Sequence, residues 1–181
     1  MSDQANGLLS PWLRQKRLNK VLPYLTGKVL DFGCGIGALA DYCDADGYVG
    51  VDIDKASLEV AKERHPACFF SDKVPETVRF DSIVSMAVIE HLEDPKQLLR
   101  IFRGVLSPTG TVILTTPHPV SDYVHSLGSK LGIFSSSADE EHEALLNHSK
   151  MGIICAAADL TIVKYEKFLF GMNQLFLLRH I

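Results

Sequence analysis

The run Val29–Gly37, VLDFGCGIG, constrains this chain more than any other stretch, because it joins a short apolar segment to an acid and three closely spaced glycines. Apolar residues ending in glycines predict a strand (Lys28–Phe32) that turns sharply into the next element. Gly33, Gly35 and Gly37 allow backbone angles that other residues avoid, and they let the main chain pass close to a ligand. Such a turn alone is shared by many nucleotide-binding folds. The spacing here is G-x-G-x-G, with Ala38 where the third glycine of a dinucleotide-binding turn would stand. Asp31, inside the strand, would repel a pyrophosphate and attract an ammonium group. At about 4 Å and an effective dielectric near 20, that attraction is worth roughly 4 kcal/mol before desolvation.

A second acid follows at the right place. Gly47–Asp52 (GYVGVD) predicts a second strand, and Asp52 at its end can accept both hydroxyls of a ribose while disfavouring a 2′-phosphate. A tight turn and a helix cap at Asp52 or Asp54 would explain either feature separately. Their occurrence on consecutive strand–helix units favours a ligand site.

The rest of the chain continues the alternation. Helical spacing is predicted over 11–24, with an apolar stripe of Trp12, Leu18, Val21, Leu22 and Leu25, and again over 36–43. Asp54 can cap a helix carrying Leu58 and Ala61 inward, and Pro66 stops it. Cys68–Ser71 and Phe80–Ser85 predict the third and fourth strands. Pro95 opens an amphipathic helix with Leu98, Leu99, Phe102, Val105 and Leu106, Ser107–Gly110 a turn, and Thr111–Thr115 a fifth strand. Alternation of this kind gives an α/β, doubly wound, mostly parallel sheet. Leu160–Phe168 and Asn173–Leu178 add a C-terminal antiparallel hairpin through Gly171, for seven strands in all. Residues 118–150 break the pattern and are expected to form a lid or substrate segment, in which Leu127, Leu131, Ile133 and Phe134 can wall an apolar pocket or face an ordinary helix inward.

Composition narrows the partners. A 181-residue chain fits one domain, and a net charge of −4 argues against broad contact with nucleic acid. The densest basic run, Arg14, Lys16, Arg17 and Lys20, is expected to be a solvated helix face. Cys34, Cys43, Cys68 and Cys155 are scattered without a paired spacing, as in a reducing compartment. The polar N-terminal residues lack the apolar core of a signal peptide, and no apolar run approaches the roughly 18 residues that span a bilayer. A cytoplasmic protein without a membrane partner, monomeric or homodimeric, is expected.

The motifs resemble those of class I S-adenosylmethionine-dependent methyltransferases, in particular the small-molecule branch similar to ubiquinone-biosynthesis methyltransferases. VLDFGCGIG matches that family's first motif, GYVGVDID its second, and FDSIVSMAVIEHLEDP (Phe80–Pro95) its fourth-strand motif. LLRIFRGVLSPTGTVILTTP (Leu98–Pro117) matches the helix and strand after it, and FLFGMNQLFLLR its terminal hairpin. The resemblance implies a Rossmann-like sandwich: an N-terminal helical cap (1–27), a cofactor core (28–117), the lid (118–150) and a C-terminal helix and hairpin (151–181). It implies S-adenosylmethionine as cofactor and a small-molecule methyl acceptor, methylated at oxygen in one reading. Asp31, Gly33, Cys34, Gly35 and Gly37 would surround the methionine part and Asp52 the ribose. Ile53 would pack on adenine, Ser71 or Asp72 would reach its amino group, and Ser85, Met86 and Ala87 would line the floor beneath the methyl.

Methyl transfer from a sulfonium expels a neutral group and needs no acid; a base helps only when the acceptor must lose a proton. His91, His118 and His142 are the candidates. Some relatives hold a divalent metal through E-x-x-E-H, but this chain reads Ala87-Val-Ile-Glu90-His91, so no metal is expected. A local hydrogen bond, a rigid Pro-His-Pro turn and a solvated acidic patch are the respective alternatives for the three histidines. A cofactor-binding relative without catalysis, and an NAD-dependent oxidoreductase, are the competing functions. Asp31 and the missing third glycine weigh against the latter.

Overall fold

The predicted alternation is realised as one seven-stranded sheet, seen in a computed structural model that describes residues 9–118 and 146–181. In chain order the strands are β1 (Val29–Phe32), β2 (Tyr48–Val51), β3 (Phe69–Ser71), β4 (Phe80–Met86), β5 (Leu106–Pro117), β6 (Leu160–Phe168) and β7 (Asn173–His180). Their order across the sheet is β3-β2-β1-β4-β5-β7-β6. The first five pair in parallel, and β7 runs antiparallel to both β5 and β6. The doubly wound sheet with an antiparallel hairpin is therefore the fold observed.

Each strand's pleat sends alternate side chains to opposite faces. Leu30, Ile83, Val112 and Leu114 face α3 (Pro95–Val105), through Leu98, Leu99 and Phe102, and α4 (His148–Ala156), through Met151 and Cys155. Val29, Val84, Ile113 and Leu175 face α1 (Leu9–Val21), through Leu18 and Val21, and α2 (Lys55–Arg64), through Leu58 and Ala61. Each such side chain contributes about 1.5–3 kcal/mol by leaving water. The helices begin where the sequence caps them. Asp54 accepts from Ala56 N at 3.1 Å at the start of α2. Asp94 accepts from Gln97 N at 3.0 Å ahead of Pro95 in α3.

Three expectations are corrected. Residues 36–43 form no α-helix, only turns and a short 3₁₀ segment at Ala40–Tyr42. Gly35 and Gly37 hold φ of 52° and 80°, which interrupts the right-handed winding that a helix needs. Ser107–Gly110 is part of β5 rather than a turn before it. Leu106 pairs with Phe80, the register shifts between Phe80 and Ser82, and Ser107 donates to Asp81 Oδ1 at 2.9 Å across the irregularity. Trp12 is 46% exposed and stands outside the apolar stripe of α1.

Candidate functional site

The parallel strands end together, and the crevice at their carboxyl edge is where open α/β sheets bind ligands. Asp31, the third residue of β1, is 1% exposed on the face covered by α1 and α2. Tyr48 donates its hydroxyl to Asp31 Oδ2 at 2.8 Å. Asp31 Oδ1 is buried with no partner among the described residues. Burial pushes this carboxyl up to about 7, against the Tyr48 bond and with help from the negative charge of Asp52.

The glycine turn leaves β1 at positive φ (77° at Gly33) and is tied to β2 by Gly33 N and Cys34 N, which both donate to Val51 O at 2.8 and 3.1 Å. A Cβ on Gly33 would stand 2.4 Å from Val88 Cγ2, so no side chain fits there. A Cβ on Gly35 would meet nothing within 4 Å; the turn is open on that side. Asp52 then clamps the turn: Gly35 N donates to its Oδ2 at 2.7 Å and Asp54 N to its Oδ1 at 2.9 Å. The helix cap belongs to Asp54, which leaves Asp52 the acid that faces the turn. A carboxylate has about four lone-pair sites, so each oxygen of Asp52 can still accept from a ligand hydroxyl.

Beside Asp52, Ile53 is 88% exposed, an apolar surface available to a flat ring. Ser71 at the end of β3 uses its hydroxyl to accept from Lys73 N at 3.0 Å, and Asp72 beyond it is exposed. Ser85 is buried in β4 with its Oγ unpartnered among the described residues, and Met86 and Ala87 follow half-buried. Ala87 holds φ of 57°, an uncommon angle for a residue with a side chain, and its N–H donates to Thr115 O at 2.7 Å. The orphaned Asp31 oxygen, the open cradle at Gly35 and the exposed Ile53 fit a ligand with a cationic end, a ribose and an aromatic ring.

The histidines divide. His91 is exposed and its N–H donates to Val88 O at 3.0 Å, closing a 3₁₀ turn. His118 is half-buried, its N–H donates to Met172 O at 2.8 Å, and burial and then Lys167 lower its pKa. His142, Leu127, Leu131, Ile133 and Phe134 lie outside the described residues.

Two site-edge residues escaped the sequence reading. Arg17 is not on a solvated face: it turns inward from α1 and donates through Nε to Asn173 Oδ1 at 2.9 Å, and burial lowers its pKa against the charge of Glu90. Lys20 likewise pairs with Glu166, whereas Arg14 and Lys16 are exposed as expected. The available signal was position, since Arg17 and Lys20 each adjoin a fully covered residue, Leu18 and Val21. Glu90 lies half-buried at the carboxyl edge. Neither of its oxygens has a hydrogen-bond partner at ordinary distance among the described residues. Burial raises its pKa, opposed by its own backbone N–H, the Thr116 hydroxyl, His91 and Arg17.

Comparison with known proteins adds three findings. A family model described as a methyltransferase domain matches residues 8–165. The ubiquinone biosynthesis O-methyltransferase of Vibrio campbellii (strain ATCC BAA-1116) is 29% identical over 164 residues, 80% of this chain and 70% of that protein. Other curated relatives of that name are matched over about half their length. Among solved structures, a protein from Pyrococcus horikoshii OT3 superposes with a TM-score of 0.74 at 21% identity, over 98% of this chain and 94% of that one. The magnesium protoporphyrin IX methyltransferase of Synechocystis PCC 6803, solved with bound SAH, gives 0.73 at 15% identity over 98% and 90%. These two likenesses show the fold.

Proposed function

The chain belongs to the methyltransferase-domain family and is a methyltransferase; on that premise we propose that it moves a methyl group from S-adenosylmethionine to a hydroxyl oxygen of a small-molecule acceptor. The observation that carries the donor is Asp31, buried at 1% exposure directly below the glycine turn with an oxygen lacking a partner among the described residues. A buried carboxylate of this kind is costly unless a cation meets it, and the amino group of the donor is such a cation. Oxygen as the methylated atom is supported by the name of the Vibrio campbellii relative.

When bound, the donor presents a methyl group on a positively charged sulfur that departs as a neutral thioether. What remains for the protein is to hold, orient and keep water out. Asp31 fixes the amino group, and the glycine turn lets the main chain close on the methionine part. Asp52 holds the ribose, Ile53 covers one face of the adenine, and Ser71 or Asp72 meets its amino group. Ser85, Met86 and Ala87 form the floor on which the acceptor and donor meet.

Asp52→Asn tests the ribose assignment while keeping one oxygen to accept from Gly35 N or Asp54 N. It is expected to weaken S-adenosylhomocysteine by about 1.5–3 kcal/mol, the worth of hydrogen bonds to a charged group, as read by calorimetry. Unchanged affinity would remove Asp52 from the site.

A further inference from the structure

We propose that Glu90 binds the hydroxyl of the methyl acceptor and takes its proton, with Arg17 as the residue that positions and charges it; this rests on the reading of the chain as an O-methyltransferase. Glu90 sits in the 3₁₀ turn Ile89–His91 that follows β4, and Ile89, completely buried in the core, pins that turn to the sheet. The side chain therefore cannot swing far into water. Neither of its oxygens has a hydrogen-bond partner at ordinary distance among the described residues, and the Thr116 hydroxyl and the Glu90 backbone N–H stand close enough only to favour its charged form. The hydroxyls of Ser85 and Thr116, 1% and 0% exposed, have no partner at ordinary distance among the described residues either. The register pairs Ser85 with Leu114, so the pleat puts Ser85 and Thr116 on the same face of adjacent strands. Buried polar groups in folded proteins almost always find partners, and several orphans gathered at one strand edge mark a place where a ligand supplies them.

The chemistry of the gathering selects the ligand group. An ionised carboxylate only accepts, whereas Ser and Thr hydroxyls both donate and accept. A ligand hydroxyl answers both: it donates to Glu90 and accepts from a neighbouring hydroxyl. A quaternary or fully substituted nitrogen has no proton to offer Glu90. The site is also distinct from that of the donor's amino group, since Asp31 lies in β1 on the opposite face of the sheet from Ser85 and Thr116.

Arg17 completes the arrangement. Its Nε is fixed by Asn173, itself 4% exposed at the start of β7, and its charge favours the ionised form of Glu90. Among the described residues, the titratable groups that act on Glu90 are Arg17 from α1 and His91 from its own turn; the Glu90 backbone N–H and the Thr116 hydroxyl of β5 contribute neutral dipoles. In the step proposed, the acceptor's O–H bond breaks, the proton bonds to a Glu90 oxygen, and the electron pair stays on the acceptor oxygen as the nucleophile. Glu90 later releases the proton to water. A base positioned in this way accelerates transfer by roughly 10²–10⁴-fold.

The test uses 4-nitrocatechol, a chromophoric hydroxyl compound, titrated into the 181-residue chain saturated with S-adenosylhomocysteine. Binding is followed by the probe's absorbance, and calorimetry measures S-adenosylhomocysteine in parallel. Glu90→Gln is expected to weaken the probe roughly ten- to a hundredfold, as for loss of a charged hydrogen bond, while leaving S-adenosylhomocysteine affinity intact. That intact affinity also reports a folded variant. Arg17→Gln is expected to move the pH midpoint of probe binding upward, because Glu90 then ionises less readily, and Arg17→Lys to restore it. Equal probe binding by the unaltered chain and Glu90→Gln, with S-adenosylhomocysteine bound by both, overturns the assignment of Glu90. Failure of the unaltered chain to bind S-adenosylhomocysteine overturns the donor reading, and this proposal with it.

Discussion

With no cation beside it, Asp31 is a carboxyl group inside an apolar face, and burial pushes it up to about 7. In the unfolded chain it titrates near 4. Between those values the folded chain holds a proton that the unfolded chain has released, so this group's contribution to stability falls as pH rises from about 4 to about 7 and stays low above that. The upper limit of the loss is roughly 4 kcal/mol. Asp31→Asn, which keeps an oxygen for Tyr48, is expected to melt several degrees higher than the unaltered chain at pH 8 and close to it at pH 5, while binding S-adenosylhomocysteine less tightly. Thermal melts at the two pH values check this, and a lower melting point for the variant at pH 8 would sink it. Asp31 is legible as a site candidate because strand, acid and glycines stand together in one short run, and Asp52 because it ends the strand that follows. The Arg17–Glu90 relation is not. It joins the first helix to a turn beyond the fourth strand, and no spacing in the sequence links them.

Elements were legible where one signal dominated and obscure where two competed. The amphipathic helix α3 begins where Asp94 and Pro95 announce it, and its inner residues are those the spacing gives. Asp94→Ala removes the acceptor of the Gln97 N–H and is expected to cost about 1 kcal/mol. Urea unfolding measures this, and an unshifted midpoint would show that water replaces the cap at no cost. Residues 36–43 carry helix-compatible side chains, but positive φ at the preceding glycines prevails over their spacing. In β5 the Ser-Pro-Thr-Gly run has turn composition, yet the pairing of Leu106 with Phe80 keeps it in the sheet. Composition alone cannot register that pairing, because it depends on a strand more than a helix away. The bounds of β6 follow the sequence closely, since its run is long and the break at Gly171 is sharp.

At the scale of the whole molecule, the sheet order brings the ends of β1, β2, β4 and β5 to one edge, so residues distant in sequence share one crevice. Among the described residues, no helix is long and apolar enough to cross a membrane. A ligand that binds only the folded form stabilises all of it, by about 2.7 kcal/mol at a hundred times its dissociation constant. S-adenosylhomocysteine at that excess is expected to raise the melting temperature by several degrees, and NAD at the same concentration to leave it unchanged. The reverse pattern would return the chain to the dinucleotide-binding class. One feature of the sheet bears on how it is made. β7, the last of the seven strands in chain order, does not lie at the rim but between β5 and β6. A ribosome delivers β5 and β6 first and their shared partner last, so until Asn173–His180 emerges both strands present open hydrogen-bonding edges. The sheet can close only once Asn173–His180 has joined both of them.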